Sequence, residues 1–546
     1  MSECDRGGHG FMQLGSRLGA LACAAAVAHA TPPLVVYVDR SAPEAGQDGT
    51  SWESAFRDLQ DAIASAKARM PATPVNVEIR VAQGVYKPDR GTLDRTATFH
   101  FDLPLLSATR LSLLGSFAGL QGADPDAQDF VATRTVLSGD LAGDDLPEDV
   151  NRSDNSFRIA HIALPDGGAL VRGVTFRGAG GAAIADQPVG GAGLRIALAG
   201  VHMMPALVWN CSFEDNSAPT GDGAGLWIKS MAPNIADSTF VRNRTQSGSG
   251  GAVYLESQQV AYPSVEGCEF EKNSATNGGA FASAGYERVW RCTFADNRAS
   301  VAGGAYAGVG EIRSSLFLRN SAGASAGAVM AKRLTCEYST FAGNTAPSIA
   351  AISSAESLSL TGIIAWDNTN ADASRPVIRG QSLTSTPRAT SCLVQSGSRG
   401  FDIIGSTLST VNFLSSADPQ FIRPGAPADP TGQWRNWNYR LKVSSPVRAR
   451  GTKPTIYDLD GHSLPYALSL PGDIGAYFAI DRPCPADLDL TYPARVDEDD
   501  FAIFIDAYNI MVAPPADPRA DFNRDGIVDD ADFSIFAVAY QHLLCP

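Results

Sequence analysis

CTFADN, residues 292–297, is one of six versions of a single hexapeptide. The others are CSFEDN (Cys211–Asn216), STFVRN (Ser238–Asn243), CEFEKN (Cys268–Asn273), SLFLRN (Ser315–Asn320) and STFAGN (Ser339–Asn344). Their phenylalanines, Phe213, Phe240, Phe270, Phe294, Phe317 and Phe341, are separated by 27, 30, 24, 23 and 24 residues. A small-residue run follows each copy: GAGL, GGAV, GGAF, GGAY, AGAV and IAAI. Periods in the twenties belong to solenoids, whose units bury an apolar face only by stacking on one another. These units read as strands, and the leucine frame of a leucine-rich repeat is absent.

Three positions of the unit set the fold class. Five residues before each Phe stands Val208, Ile235, Val265, Val289, Ile312 or Cys336. Two residues before it stands Cys211, Ser238, Cys268, Cys292, Ser315 or Ser339. Positions −2 and 0 share a strand face, so small and aromatic residues are predicted to stack inside, coil upon coil. Three residues after each Phe comes Asn216, Asn243, Asn273, Asn297, Asn320 or Asn344, a predicted side-chain ladder at a turn. Glycines supply the tight corners. The pattern fits an all-β chain folded as a right-handed parallel β-helix. Cys268 and Cys292 then lie one coil apart, about 4.8 Å between strands. They read either as a disulfide or as buried free thiols filling small apolar positions.

The paired FxxN and GGA motifs resemble those of polymorphic outer-membrane-protein passengers and related bacterial β-helix proteins. The upstream segments YVDRSAPEAGQDGTSWESAFRDLQDAI, IRVAQGVYKPD, LLGSFAGLQG and TVLSGDLAGDD are similar to that larger family. So are the downstream ADPQF, NYRLKVSSPV, DLDG and GDIGAY. The resemblance implies a pectate-lyase-like solenoid, with an N-terminal cap and first coils over 31–145, repeats over 146–425, and closing coils with a C-terminal cap over 426–480. It also implies export to a cell surface or the medium.

The N-terminus agrees with export. Arg6 and Arg17 precede the apolar run LGALACAAAVA, which closes on Ala28-His29-Ala30, a small-x-small cleavage pattern. Residues 1–30 are therefore expected to be a signal peptide, with Cys23 as an alternative lipidation site. No later run supplies the ~20 apolar residues of a membrane span. No basic patch interleaved with aromatics suggests nucleic acid. Cleavage would leave seven of the nine cysteines.

The outward positions carry the side chains that could do chemistry. At +2 lie Asp215, Arg242, Lys272, Asp296 and Arg319, a charged turn edge read as solvated, with Arg242 and Lys272 as the alternative contact to an anionic sugar. At −4, Trp209 and Trp290 flank Ala236 and Glu266, a weak sugar-stacking track. Trp434, Trp437 and Tyr439 are expected to cover the last coil, with a carbohydrate platform as the alternative. Asp140, Asp144 and Asp145 concentrate acid without a catalytic role. No histidine pair has metal-ligand or triad spacing. Catalytic residues therefore stay unassigned: a binding or structural wall leads, and a polysaccharide lyase or glycoside hydrolase is the alternative.

The formal net charge is −15, and Asp481 onward contributes about −10 of it, 14 acids against four arginines. There DFNRDGIVDDADF (Asp521–Phe533) has calcium-loop spacing. Asp521, Asn523 and Asp525 stand at positions 1, 3 and 5, Gly526 turns, Ile527 offers its carbonyl, and Asp529 and Asp532 take positions 9 and 12. Asp at position 12 resembles the dockerin form. Thirty-two residues upstream, VDEDDFAIFIDAY matches VDDADFSIFAVAY, with Phe501, Phe504, Ile505 and Tyr508 against Phe533, Phe536, Ala537 and Tyr540. The first loop is degenerate. Counting back from Asp500 places Asp489 at position 1, whereas a two-residue insertion uses Asp487 and Asp489. Residues 484–546 are thus expected to be a small all-α, calcium-binding, dockerin-like module closed by Cys484–Cys545. The expected partner is a cohesin-like or cell-surface receptor.

Overall fold

The computed structural model describes residues 32–542, except 107, 147–149, 181–189, 200–204, 258–261, 372–374, 382–383, 413, 416, 425–437, 443–444, 448–449, 452–457, 460–472, 478–485, 487, 489–495, 497, 511–519 and 523–526. The predicted signal peptide, Trp434, Trp437, Asn523, Asp525 and both Cys484 and Cys545 lie outside the described residues. Residues Pro33–Pro546 form one compact unit.

Within that unit the chain is mostly parallel β-sheet stacked in a solenoid, an arrangement compatible with a parallel β-helix. Each coil contributes strands to sheets of 20, 12 and 7 strands. The 12-stranded sheet carries the repeat: Phe176, Phe213, Phe240, Phe270, Phe294, Phe317 and Phe341 stand in register. Their rings stack 4.6–5.1 Å apart and within 9° of parallel. Phe176 extends the predicted column by one coil. The −5 column is likewise continuous and fully buried, from Val208 through Cys336 to Leu360. Cys211, Cys268, Cys292, Cys336 and Cys392 are buried free thiols.

The asparagine ladder forms as predicted and runs one coil further, to Asn368. Each amide nitrogen donates to the next asparagine's Oδ1 at 2.9–3.0 Å. Each also donates to the carbonyl of a phenylalanine on the preceding coil, as Asn297 does to Phe270 at 2.9 Å. Gln395 ends the ladder, its Oε1 accepting from the Asn368 backbone N–H at 2.7 Å.

Glycines do hold one corner: the first glycine of the small-residue runs, Gly223, Gly250, Gly278 and Gly303, is left-handed, with φ of 57–66°. The residue two after Phe is also left-handed on coil after coil, and besides Gly178 and Gly343 it is Asp215, Arg242, Lys272, Asp296 and Arg319, with φ of 49–58°. A further left-handed corner three residues before Phe holds Asn210, Asp237, Gly267, Arg291, Ser314 and Tyr338. The second glycine of each GGA serves another purpose. A Cβ on Gly304 would strike the Gly327 carbonyl oxygen of the next coil and the Ser321 backbone. Bare Cα is what lets neighbouring coils reach hydrogen-bonding distance there.

Coil length decides where the flanks meet. In the 27- and 30-residue coils, Leu226–Ser230 and Asn234–Ala236, then Val253–Ser257 and Ser264–Glu266, are separate strands. In the shorter coils one strand runs through both flanks, as in Phe281–Trp290, Tyr306–Arg313, Val329–Glu337 and Ile352–Thr361. Each of these pairings carries a register shift where the corner would be.

After the last coil the chain packs on the outer face of the 12-stranded sheet. Phe421, Tyr439, Leu441, Val447, Ile474 and Ala476 cover the outward side chains of Leu316, Leu318, Ile364 and Leu393. The Ala476 N–H donates to Thr340 Oγ1 at 3.0 Å, and Gly475 N–H to the Gly362 carbonyl at 2.7 Å. Tyr439, expected over the last coil, lies on this flank.

The C-terminal helices, Glu498–Ile510 and Asp530–His542, enclose a small core of Leu488, Val496, Phe504, Ala520, Val528 and Phe536. No helix among the described residues is long and apolar enough to cross a membrane.

Candidate functional site

Alternation along a strand sends every second residue outward. On Ser264–Glu266, Phe281–Trp290, Tyr306–Arg313 and Val329–Glu337, Val265, Val289, Ile312 and Cys336 point in and are fully buried. Their neighbours therefore point out in two columns. The first is Glu266, Trp290, Arg313 and Glu337, the second Ser264, Arg288, Glu311 and Thr335. The predicted −4 track of Trp209 and Trp290 thus continues as a charged cluster.

Both arginines flank the indole: Arg288 and Arg313 each place a guanidinium 5.6 Å from the Trp290 ring. Arg288 also lies 4.9 Å from the Tyr262 ring, and Tyr262 contacts Tyr286 at 5.0 Å. Arg313 Nε contacts Glu311 and reaches Glu337 Oε2 at 3.2 Å, so one guanidinium bridges two carboxylates on adjacent coils. Arg288 approaches Glu311 from the other side at 3.8 Å, and Arg291 pairs with Glu266 at 3.0 Å. Burial raises the Glu337 carboxyl above its ordinary range; Arg313 opposes that rise and Glu311 adds to it. The Trp290 indole N–H is buried without a hydrogen-bond partner. Tyr262 remains 59 % exposed, an open ring at the edge of the patch.

The patch was readable in part. Extending the −4 position by two further coils gives Arg313 and Glu337, and the −6 position gives Arg288 and Glu311. What the spacing does not carry is the pairing among them.

The other candidates separate cleanly. The +2 turn edge is a series of ion pairs: Arg242 chelates Asp215 at 2.7 and 2.8 Å, Arg319 holds Asp296 at 2.7 Å, and Lys272 holds Glu271 at 2.9 Å. Its cations are engaged by neighbouring carboxylates. Two histidines missed by local spacing do meet: His100 and His161 stack at 5.0 Å through the register of Phe99–Phe101 with Ala160–Leu164. Burial drives His161 down to about 3, with Arg158 and His100 adding to the fall, so it stays neutral.

Of the six predicted calcium ligands, Asp521 and Asp532 are buried, Asp529 half-buried and Ile527 exposed. Asp532 Oδ2 accepts the Asp529 N–H at 3.1 Å at the start of the last helix, and Asp529 Oδ1 accepts the Ala531 N–H at 2.8 Å. In the upstream copy Asp500, fully buried, accepts the Leu488 N–H. No protein-family model matches the chain, and no curated protein matches it.

Proposed function

We propose that the chain is an exported right-handed parallel β-helix that holds a polysaccharide against the flank around Trp290, and is itself held in place through its C-terminal module. The observation that carries this reading is the outward cluster of Tyr262, Tyr286, Arg288 and Trp290 beside Glu311, Arg313 and Glu337. Aromatic faces cover the apolar faces of sugar rings, and charged side chains on a rigid sheet bind hydroxyls or carboxylates with little ordering entropy. Seven stacked phenylalanines and a continuous asparagine ladder make the wall beneath it stiff.

One observation favours the enzymatic reading as a second. Glu311 and Glu337 touch the same guanidinium, which is compatible with the roughly 5–5.5 Å separation of a retaining carboxylate pair. Glu337, raised by burial, would be the acid, and Glu311, between two arginines, the second carboxylate.

The purified chain should retain one or more members of a polysaccharide panel in affinity electrophoresis, and Trp290→Ala with Tyr262→Ala should weaken retention about tenfold or more. Equal retention by the double variant would overturn the site. Reducing ends or unsaturated products that vanish in Glu337→Gln would select the enzyme; retention without turnover selects the binding wall.

The tail reading rests on the calcium spacing of Asp521, Asn523, Asp525, Ile527, Asp529 and Asp532 and on the duplicated helix. A calcium-rigidified dockerin-like plug would dock to a cohesin-like or cell-surface receptor.

A further inference from the structure

Outside that patch and the tail, one group of side chains shapes a loop and leaves buried oxygens unmet. Strand Thr135–Ser138 runs into the loop SGDLAGDD, and the chain returns through Asp154 and Asn155. Asp140 is buried and turns the loop by accepting the N–H groups of Gly143 at 2.5 Å, Asp144 at 3.2 Å and Asp145 at 3.3 Å. Asp154 accepts the Ala142 N–H at 2.7 Å. These contacts bring one oxygen each of Asp140, Asp145 and Asp154 within 4.8 Å of one another.

Three acids close together are common on surfaces, and alone they say nothing. The second observation concerns oxygen atoms that the fold has buried without donors. Asn155 is completely enclosed; its amide nitrogen lies against the cluster, 2.9 Å from Asp145 Oδ2, and also meets the Gly178 carbonyl at 2.5 Å. Its Oδ1 is buried and has no hydrogen-bond partner. Asp145 Oδ1 is in the same state, on a side chain only 10 % exposed. A buried acceptor left without a donor costs about 1–3 kcal/mol, more when it is charged, and two on side chains hydrogen-bonded to each other call for an explanation. Neighbouring cations do not supply it. Arg152 Nε stands 3.5 Å from the other oxygen of Asp145, and Lys87 donates to the Leu141 carbonyl at 3.0 Å.

We propose that the cluster where Asp140 and Asp145 meet Asp154 and Asn155 is a calcium site, with Asp140, Asp145 and Asp154 as carboxylate ligands and the Asn155 side-chain oxygen as a fourth. The donors are hard oxygens without histidine or cysteine, which selects against zinc and copper. An all-oxygen set of carboxylates with an amide carbonyl suits calcium, whose flexible shell takes such ligands at about 2.3–2.6 Å. The site clasps the first coils: Asn155 ties the loop to Gly178 on the next coil, and Arg152 ties it to the Asp215 carbonyl beyond. It is independent of the tail loop and of the Trp290 patch.

The test uses the full chain carrying Asp521→Ala and Asp532→Ala, so that the tail loop does not contribute. Calorimetric titration with calcium chloride is expected to find one remaining equivalent, and adding Asp154→Asn is expected to weaken it about tenfold or more. Absence of uptake by the first chain, or unchanged affinity in the second, overturns the proposal. Should the Asp154→Asn chain lose its native circular dichroism, hydrogen exchange decides on the chain without it. Slower exchange of amides 140–155 with calcium than with chelator supports the site; equal exchange sinks it.

Discussion

Glu287 is a carboxylic acid sealed inside the solenoid. It sits on Phe281–Trp290 just after the register shift, fully buried, accepting from the Tyr306 hydroxyl with its other oxygen unpartnered. Burial pushes its carboxyl up to about 8, against the opposing hydrogen bonds of Tyr306 and Ser283. The folded value lies above the unfolded 4.5, so the native state holds a proton that the unfolded chain releases. The contribution to stability is complete below pH 4.5, falls as pH rises, and is gone above about 8. Glu287→Gln keeps a neutral group of the same shape. It should remove this slope, a difference on the order of 4 kcal/mol between pH 4.5 and 9. Urea midpoints of both chains at those two pH values measure it, and parallel pH profiles would refute it. Alternation puts Glu287 on the inward face two residues before Val289, but the repeated columns start at Val289, so no repeated position marked a carboxyl there.

At the scale of the element, the ladder of Asn216, Asn243, Asn273, Asn297, Asn320, Asn344 and Asn368 binds successive coils at one corner. Asn297 serves four bonds: it accepts from the Asn273 backbone and side chain and donates to Asn320 and Phe270. Asn297→Ala strands partners on both neighbouring coils in a fully buried site, and should cost about 2–4 kcal/mol. An equal substitution at exposed Ser300 should change stability by less than about 0.5 kcal/mol. Equal denaturation midpoints for the two variants would mean that the ladder is ornamental. This element was legible because +3 recurs in every hexapeptide. The left-handed corners beside it were not, since Arg, Lys and Asp there carry no glycine signal. Their backbone strain, about 1–2 kcal/mol per residue, is offset by the coil-to-coil bonds they permit.

For the whole molecule, the tail shows its duplication in three dimensions. Phe501 meets Tyr540 at 5.6 Å and Phe533 meets Tyr508 at 6.2 Å, the same pair exchanged between copies, about the central Phe504–Phe536 contact at 4.9 Å. Core positions Leu488 and Ala520, then Val496 and Val528, keep the 32-residue offset, which favours counting Asp489 as position 1 without an insertion. So small a core is marginal alone, and a cation stabilises what it binds. Calcium should slow proteolysis between the helices at residues 511–519, and Asp521→Ala with Asp532→Ala should abolish that protection. Cleavage equally fast with and without calcium in the native chain would exclude a calcium-ordered tail. The sequence by itself determined the solenoid and its inward columns, because a coil stacks only on its neighbours and each repeats the same local instruction. It also marked the helical duplication at the C-terminus. Only the tertiary structure decided which distant residues meet: Glu311 with Glu337 across Arg313, Asp140 with Asp154 and Asn155, Tyr439 and Ile474 on the flank. Those meetings depend on coil lengths, bulges and returning loops, which set register between residues far apart in the chain, and no local period encodes them.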